Sequence, residues 1–142
     1  MKSLSIWEPW ASLIAAGLKR FEMRSWQTKY RGPLLICAGK IVKRLKLDVS
    51  GDLKTMNAII KNNIAFHPGH ALCVVDLTDS KKTVLSEWVQ QVKLIGGPWE
   101  KKSWELANVR RFKEPWPVRG KQGLFDVPDE EIARHELMEL TP

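Results

Sequence analysis

Three charged residues stand close together near the amino-terminal end of the chain. They are Lys19, Glu22 and Arg24, called here the charged triad. An arginine can form a bidentate pair with a phosphate or a base edge, a carboxylate can accept a hydrogen bond from an exocyclic amine, and a lysine adds a point charge. The same three side chains would also satisfy one another as an internal ion-pair network that holds the turn. The triad therefore predicts either a polar binding site or a structural network.

The pattern around the triad predicts a short helix followed by a strand. Pro9 suits the first turn of a helix, Trp10–Ala16 contains strong helix formers with apolar residues at helical spacing, and Gly17 fits just past the helix end. Phe21–Trp26 then alternates apolar and polar side chains, which is typical of a strand. The carboxylate and the guanidinium of the triad thus share one strand face, and its lysine lies on the adjoining turn.

The spacing of these residues resembles a family signature. Gly17 and the triad give G-x-K-x-x-E-x-R, which is similar to the signature of the ASCH domain, named for homology to activating signal cointegrator. The surrounding string PWASLIAAGLKRFEMRSWQTKYRGPLLICAG resembles the coactivator branch of that family, and the later segments GHALCVVD, WELANV and VRGKQGLFDV also look similar to it. The resemblance implies an α+β fold, a PUA-like small mixed β-barrel with flanking helices and a cleft.

The same resemblance implies nucleic-acid binding, because the PUA-like superfamily is associated with RNA and modified bases. RNA is the expected partner and DNA the alternative, with a single-stranded or flipped base held in the cleft beside a basic surface. No cofactor is expected. The expected nucleic-acid contacts are Trp10, Ser12, Lys19, Glu22, Arg24, Trp26, Arg31, Lys40, Lys43 and Arg44.

A small hydrolase that uses the same cleft is the alternative function. One branch of small ASCH proteins hydrolyses acetylated cytidine and resembles this chain in having a lysine where Lys19 stands, but it has threonine at the position of Glu22. A nearby carboxylate should keep the lysine protonated, which opposes its use as a general base. Protonated Lys19 would instead stabilise an oxyanion while Glu22 acts as the base. Ribonuclease action is a further alternative, although the triad offers no histidine as acid or base.

Positive charge is concentrated in the part of the chain that holds the triad. The net charge is +7, and residues 1–62 carry 12 basic against 4 acidic side chains, whereas residues 126–142 carry 1 basic against 6 acidic side chains. Such an excess attracts phosphate-bearing partners, although many charge runs are only solvated faces. Two basic runs stand out, one of Lys40, Lys43, Arg44 and Lys46 and one of Arg110, Arg111, Lys113, Arg119 and Lys121.

Seven tryptophans are many for 142 residues. Indoles beside cations are a common platform for stacking a base. Trp7, before the first helix, and Trp104, at the start of a strand, are predicted to be packing residues that bury a large area. Trp26 alternates onto the strand face of the triad, so it either forms a wall of the cleft or packs in the core.

Residues 1–142 are predicted to form one domain. Six segments have strand character: Ser3–Trp7, Phe21–Trp26, Leu34–Ala38, Ala71–Thr78, Trp104–Val109 and Gly123–Val127. Four have helical character: Trp10–Ala16, a stretch within Asp52–Asn62, Val84–Val92 and Glu130–Leu140. The last helix is acidic on its polar side, and it is expected to close the domain by packing or, alternatively, to contact a protein partner. A protein-interaction domain is accordingly the second alternative function.

Several other classes of protein are not favoured. No stretch approaches the roughly 20 apolar residues of a membrane span, and the first residues lack the order of a signal peptide, so a cytoplasmic protein is expected, or a nuclear one in a eukaryotic host. Cys37 and Cys73 lie in apolar runs and are expected to be buried, reduced thiols. His67 and His70 have no further ligands at matching spacing, so no metal site is expected.

Overall fold

The fold consists of strands joined by short helices and turns. The computed structural model describes residues 1–46, 50–82 and 102–139. In chain order the elements are β1 (Lys2–Glu8), α1 (Trp10–Ala15), β2 (Phe21–Arg24), β3 (Gly32–Val42), α2 (Ser50–Lys61), β4 (His70–Lys82), β5 (Lys102–Pro117), β6 (Leu124–Asp126), α3 (Asp129–Ile132) and β7 (Leu137–Glu139). All six predicted strands are confirmed, as are the first two predicted helices. The predicted helix Val84–Val92 lies outside the described residues. None of the described helices is long and apolar enough to cross a membrane.

The described strands form one mixed sheet in the order β2, β5, β4, β3, β1 and β6, with β7 pairing to β5. β1 and β3 are parallel, and the other described pairs are antiparallel. The end strands β2 and β6 do not pair with each other in the described residues, so the sheet is not closed. The arrangement is the predicted α+β, PUA-like fold, in a form that is barrel-like without being a complete barrel.

Both faces of the central strands are buried, which explains the unbroken apolar run in β3. Ile36 packs with Trp104 and helix α1 on one face of the sheet. Leu35 and Cys37 pack with aromatic residues of β5 and β6 on the other face. Cys73 belongs to the first face, and both thiols are free and buried, as predicted.

The predicted carboxyl-terminal helix Glu130–Leu140 is wrong. The chain instead forms the short helix α3 and then strand β7, which pairs with Arg110–Phe112 of β5. Between these elements the ring of His135 stacks on the indole of Trp116, with the ring centroids 4.1 Å apart. Pairing with a strand that is distant in sequence thus overrides a local helical pattern. The long acidic helix, which was expected to close the domain by packing or alternatively to contact a protein partner, is not formed.

Candidate nucleic-acid interface

A tight turn after helix α1 delivers the charged triad to the sheet. Gly17 has a left-handed backbone conformation with φ of 76°, which glycine adopts readily at a helix end. The backbone N–H groups of Leu18 and Lys19 both donate to the Leu13 carbonyl, at 3.0 and 3.2 Å. The chain then enters β2, which carries the rest of the triad and pairs with β5.

A buried carboxylate fixes the start of helix α1. Glu8 is fully buried, and it accepts hydrogen bonds from the Ser12 N–H at 2.8 Å, the Ser12 hydroxyl at 2.5 Å and the His67 N–H at 2.8 Å. Ser12, a predicted nucleic-acid contact, is therefore engaged inside the fold. Trp10, another predicted contact, packs against the core. Neither residue lines the cleft described below.

The structure brings the triad together, and Glu22 is its centre. Glu22 Oε1 lies 3.5 Å from Lys19 Nζ, while Oε2 lies 3.1 Å from Arg24 Nη2 and 3.2 Å from Arg24 Nε. Lys19 also donates to the carbonyl of Phe21. The side chains of Lys19 and Glu22 are 1% and 8% exposed, whereas that of Arg24 is 24% exposed. Of the three, the arginine is the one that reaches the surface.

Burial controls the proton affinity of the lysine in the triad. Loss of water lowers the pKa of Lys19 from its ordinary value of 10.5, and this effect exceeds the opposing influence of the Glu22 carboxylate. The Arg24 guanidinium adds a smaller lowering. The Glu22 carboxylate raises this pKa, as expected, but the burial of the ammonium group, which the sequence pattern does not indicate, outweighs it.

Arg24 links two strands that are not neighbours in the sheet. Its Nη2 donates to the Ser5 carbonyl of β1 at 2.8 Å, although β5, β4 and β3 separate β2 from β1. The pairing of β1 with β6 ends at Leu4, one residue before Ser5. The sheet is therefore strongly curled at this point, and the guanidinium lies where β2 approaches β1.

Arg24 faces an open cleft of about 730 Å³. The cleft is bounded by β1, by β2 and the residues that follow it, by β3, and by the segment that precedes β6. No carboxylate is among its described lining residues, but four cationic side chains are: Arg24, Lys40, Arg119 and Lys121. In the described part of the chain, the last three form no ion pair. Their charge is therefore available to an anionic ligand.

Small residues line the cleft around Ser5. A Cβ atom added to Gly120 would lie 2.6 Å from the Ser5 hydroxyl oxygen, and one added to Gly39 would lie 3.5 Å from it. The backbones of both glycines thus lie close to this hydroxyl. Glycine at these positions allows the main chain to pack closely against Ser5, and at Gly120 a side chain would require Ser5 to shift.

The exposed indole of Trp7 belongs to the cleft, although the sequence pattern did not indicate this. Trp7 was predicted to be a packing residue, but it is 49% exposed and lines the cleft. The pairing of β1 with β3 is irregular between Ile6 and Glu8, so that Trp7 faces residues 39–41 instead of a single partner. Trp7 alternates with the buried Ile6 and Glu8, so it lies on the same outward face of β1 as Ser5, which also lines the cleft.

Trp26 also lines the cleft, but its ring packs against the indole of Trp104. Its ring centroid lies 4.7 Å from that of Trp104, with the two rings nearly perpendicular. Trp104, which is fully buried as predicted, donates from Nε1 to the Trp26 carbonyl at 3.0 Å. Both alternatives for Trp26 therefore hold in part, because the residue packs on a core indole and is still 37% exposed at the cleft.

The other predicted contacts divide into those inside and outside the cleft. Lys40 lines it. Arg31 pairs instead with Asp79 at 3.4 Å, and Lys43 and Arg44 are exposed beyond the end of β3 and are not lining residues. Of the four predicted basic contacts Arg31, Lys40, Lys43 and Arg44, Lys40 alone therefore lines the cleft.

The second basic run is divided in the same way. Arg110 and Lys113 pair with carboxylates at 2.7 and 3.7 Å. Arg119 and Lys121, which the predicted contact set did not include, line the cleft. A sequence signal for them existed in the string VRGKQG, where two cations flank a glycine.

Solved structures share this fold. The crystal structure of ASCH from Zymomonas mobilis matches with a TM-score of 0.61 and 14% sequence identity, over 97% of each chain. A point mutant of that protein matches with a TM-score of 0.58 and 13% identity, over 94% of each chain. At this level of identity the likeness establishes the fold.

Sequence comparisons establish the family. Activating signal cointegrator 1 from Homo sapiens and from Mus musculus is 57% identical to this chain over 35 residues, which is 25% of this chain. The match spans only 6% of the length of those relatives. The family model of the ASCH domain matches residues 4–116, which is most of the chain. The protein belongs to the ASCH domain family.

Proposed function

We propose that this chain binds nucleic acid in the cleft and that its ligand is single-stranded RNA, with DNA as the alternative. The proposal is carried by the lining of the cleft, where the described residues include four cationic side chains and no carboxylate, and where Lys40, Arg119 and Lys121 form no ion pair with a described residue. Uncompensated cations on a concave surface attract polyanions, and each phosphate that they neutralise releases counterions. The indoles of Trp7 and Trp26 border the same space, as stacking residues do in proteins that bind single strands.

The triad contributes to this function through Arg24. Two of its nitrogens, Nε and Nη2, are engaged by Glu22 and by the Ser5 carbonyl. A guanidinium has five N–H donors, so Nη1 retains donors for a phosphate oxygen. Lys19 and Glu22 lie behind the guanidinium and fix its position. Their proposed role is therefore to support Arg24, without contacting the ligand directly.

A hydrolase that uses the same cleft is the second candidate. The lowered pKa of Lys19 favours it, because a lysine that acts as a general base must lose its proton near neutral pH. The burial of Lys19 opposes it, because the ammonium group is 1% exposed and the residue does not line the cleft. Binding without reaction is accordingly the function that the geometry supports best.

A fluorescence titration at two salt concentrations tests the proposal. Single-stranded RNA, duplex RNA and duplex DNA are titrated into the wild type and two variants that each lose three positive charges. The cleft variant carries Lys40→Gln, Arg119→Gln and Lys121→Gln, and the control variant carries Lys29→Gln, Lys54→Gln and Lys61→Gln at exposed positions outside the cleft.

The wild type and the control variant should bind single-stranded RNA alike, with affinity falling steeply as salt rises. The cleft variant should bind more weakly, and its logarithmic salt slope should be smaller by about 2, since each lost contact removes roughly 0.7. Equal losses in both variants would overturn the proposal. Each mixture, together with one that contains acetylated cytidine, is also analysed for products; product that disappears in Lys19→Met would establish the hydrolase instead.

A further inference from the structure

We infer that Trp7 and the β3 segment opposite it form a stacking subsite for one unpaired nucleobase. This subsite, called here the Trp7 subsite, consists of Trp7, Gly39, Lys40 and Ile41, all of which line the cleft. The inference rests on the proposed function and deepens it, because it assigns the base and the backbone of the nucleic acid to different parts of the cleft.

The irregular pairing of β1 with β3 builds the subsite. On β1 the register moves from Ile6 to Glu8, while on β3 it moves from Ala38 to Val42. Residues 39–41 are thus set against Trp7 alone. Irregularities of this kind bend a strand and redirect its side chains, and they are frequent beside functional sites.

The indole of Trp7 is available to a ligand. It is 49% exposed, and among the described residues it has no aromatic partner. Gly39 lies alongside it, since a Cβ atom added there would be 3.7 Å from Trp7 Cδ1. A leucine or lysine at that position would extend into the space beside the indole. With glycine at this position, no side chain of residue 39 covers the indole.

The other tryptophan of the cleft is less suited to stacking. Trp26 is held against the buried Trp104 by a ring contact and by the hydrogen bond from Trp104 Nε1. Its position is therefore fixed by the core, and its exposed part forms a wall. Trp7, in contrast, projects from the strand that forms one side of the cleft, which Lys40 also lines.

The chemistry of this neighbourhood selects an unpaired base. Every nucleobase offers a flat π-face to an indole, but in a duplex those faces are covered by the neighbouring base pairs. Lys40 follows Gly39 directly and supplies a cation for the phosphate that adjoins the stacked base. Ile41, which is 53% exposed, extends the apolar surface beyond that cation.

A cycle of protein and ligand changes tests the subsite. Wild type, Trp7→Leu and Trp7→Phe are titrated with a short oligouridylate and with a strand of equal length whose central nucleotides are abasic. The wild type should bind the intact strand roughly 5- to 150-fold more tightly than the abasic strand, which is the share that one stacked base contributes. Trp7→Leu should lose this preference while keeping its affinity for the abasic strand, and Trp7→Phe should keep part of it.

A second variant guards against a folding defect in Trp7→Leu. Gly39→Val leaves the indole in place and fills the space beside it, and its Cβ would meet neighbours only at ordinary contact distances of 3.5 to 3.7 Å. It should lose the preference as well. Equal weakening of both strands in Trp7→Leu, or equal affinity of the wild type for both strands, would overturn the subsite while leaving cation-driven binding intact. If the wild type bound neither strand at low salt, the proposed function itself would fail.

Discussion

Replacing Glu22 by alanine tests whether the charged triad holds the wall of the cleft in place. The carboxylate accepts from the Met23 N–H at 3.1 Å and from Arg24 Nε at 3.2 Å, and it lies 3.5 Å from Lys19 Nζ. Alanine removes all of these contacts. The Lys19 ammonium then stays buried without its carboxylate, although it keeps the carbonyl of Phe21.

The cost follows from burial. Removing one partner of a buried ion pair costs about 3 to 5 kcal/mol, because the remaining charge is left in a medium that solvates it poorly. Lys19 is 1% exposed, so this range applies to it. Arg24 is 24% exposed and regains water, so it adds less to the loss. With a urea m-value of about 2 kcal/mol per molar, the unfolding midpoint should fall by roughly 2 M.

Urea unfolding followed by tryptophan fluorescence measures this change. Glu136→Ala is the matched control, because it removes one carboxylate from an exposed pair with Lys113, at 3.7 Å, and should cost less than about 1 kcal/mol. Lys19→Met should cost less than Glu22→Ala, since the carboxylate keeps its guanidinium partner. If Glu22→Ala were no more costly than Glu136→Ala, the triad would not be a supporting network and the reasoning would be refuted.

Three further predictions concern other parts of the molecule. The native state binds the Lys19 proton less tightly than the unfolded chain does, so urea unfolding should show the wild type gaining stability relative to Lys19→Met as the pH rises towards 10.5; a relative loss would contradict the lowered pKa. Burial raises the pKa of Cys37 to about 12 and raises that of Cys73 further, so neither thiol should react with a thiol reagent at pH 8 until urea is added, and fast labelling of the native protein would contradict the buried positions. Gly120→Ala should weaken binding of single-stranded RNA and lower the unfolding midpoint, because its Cβ would lie 2.6 Å from the Ser5 hydroxyl oxygen; Ser5→Gly should restore both, and a neutral Gly120→Ala would show that the contact is readily relieved.

The strands were predictable because their signal is local. The apolar run around Leu34–Ala38 and the alternation in Phe21–Trp26 each give a strand without knowledge of its partners. The lengths of the strands were harder to predict from the sequence. β5 continues to Pro117 through a charged stretch, where pairing with β4 maintains the strand in place of an apolar pattern. The predicted terminal helix was wrong for a similar reason. Part of this segment pairs with β5, and His135 stacks on Trp116 of that strand, which the local pattern does not show.

The candidate site was predictable only where residues are neighbours in sequence. Because the triad lies on one turn and the strand that follows it, its spacing was enough to predict that its side chains contact one another. The burial of Lys19 was not predictable, because it depends on the packing of the whole fold and not on local spacing. Trp7 was missed because the sequence pattern does not show which face of β1 the rest of the chain covers, and Trp7 lies on the face opposite the buried Ile6 and Glu8. Arg119 and Lys121 join Lys40 through the sheet topology, which local pattern does not specify.

Photocrosslinking tests most directly whether nucleic acid occupies this cleft. A single-stranded RNA that contains thiouridine is irradiated with the wild-type protein, and the crosslinked peptides are identified by mass spectrometry. Crosslinks are expected in the segments that line the cleft, around Trp7, residues 39–41 and residues 118–123. Crosslinks concentrated instead on helix α2, or along the paired surface of Arg110 and Lys113, would contradict this expectation.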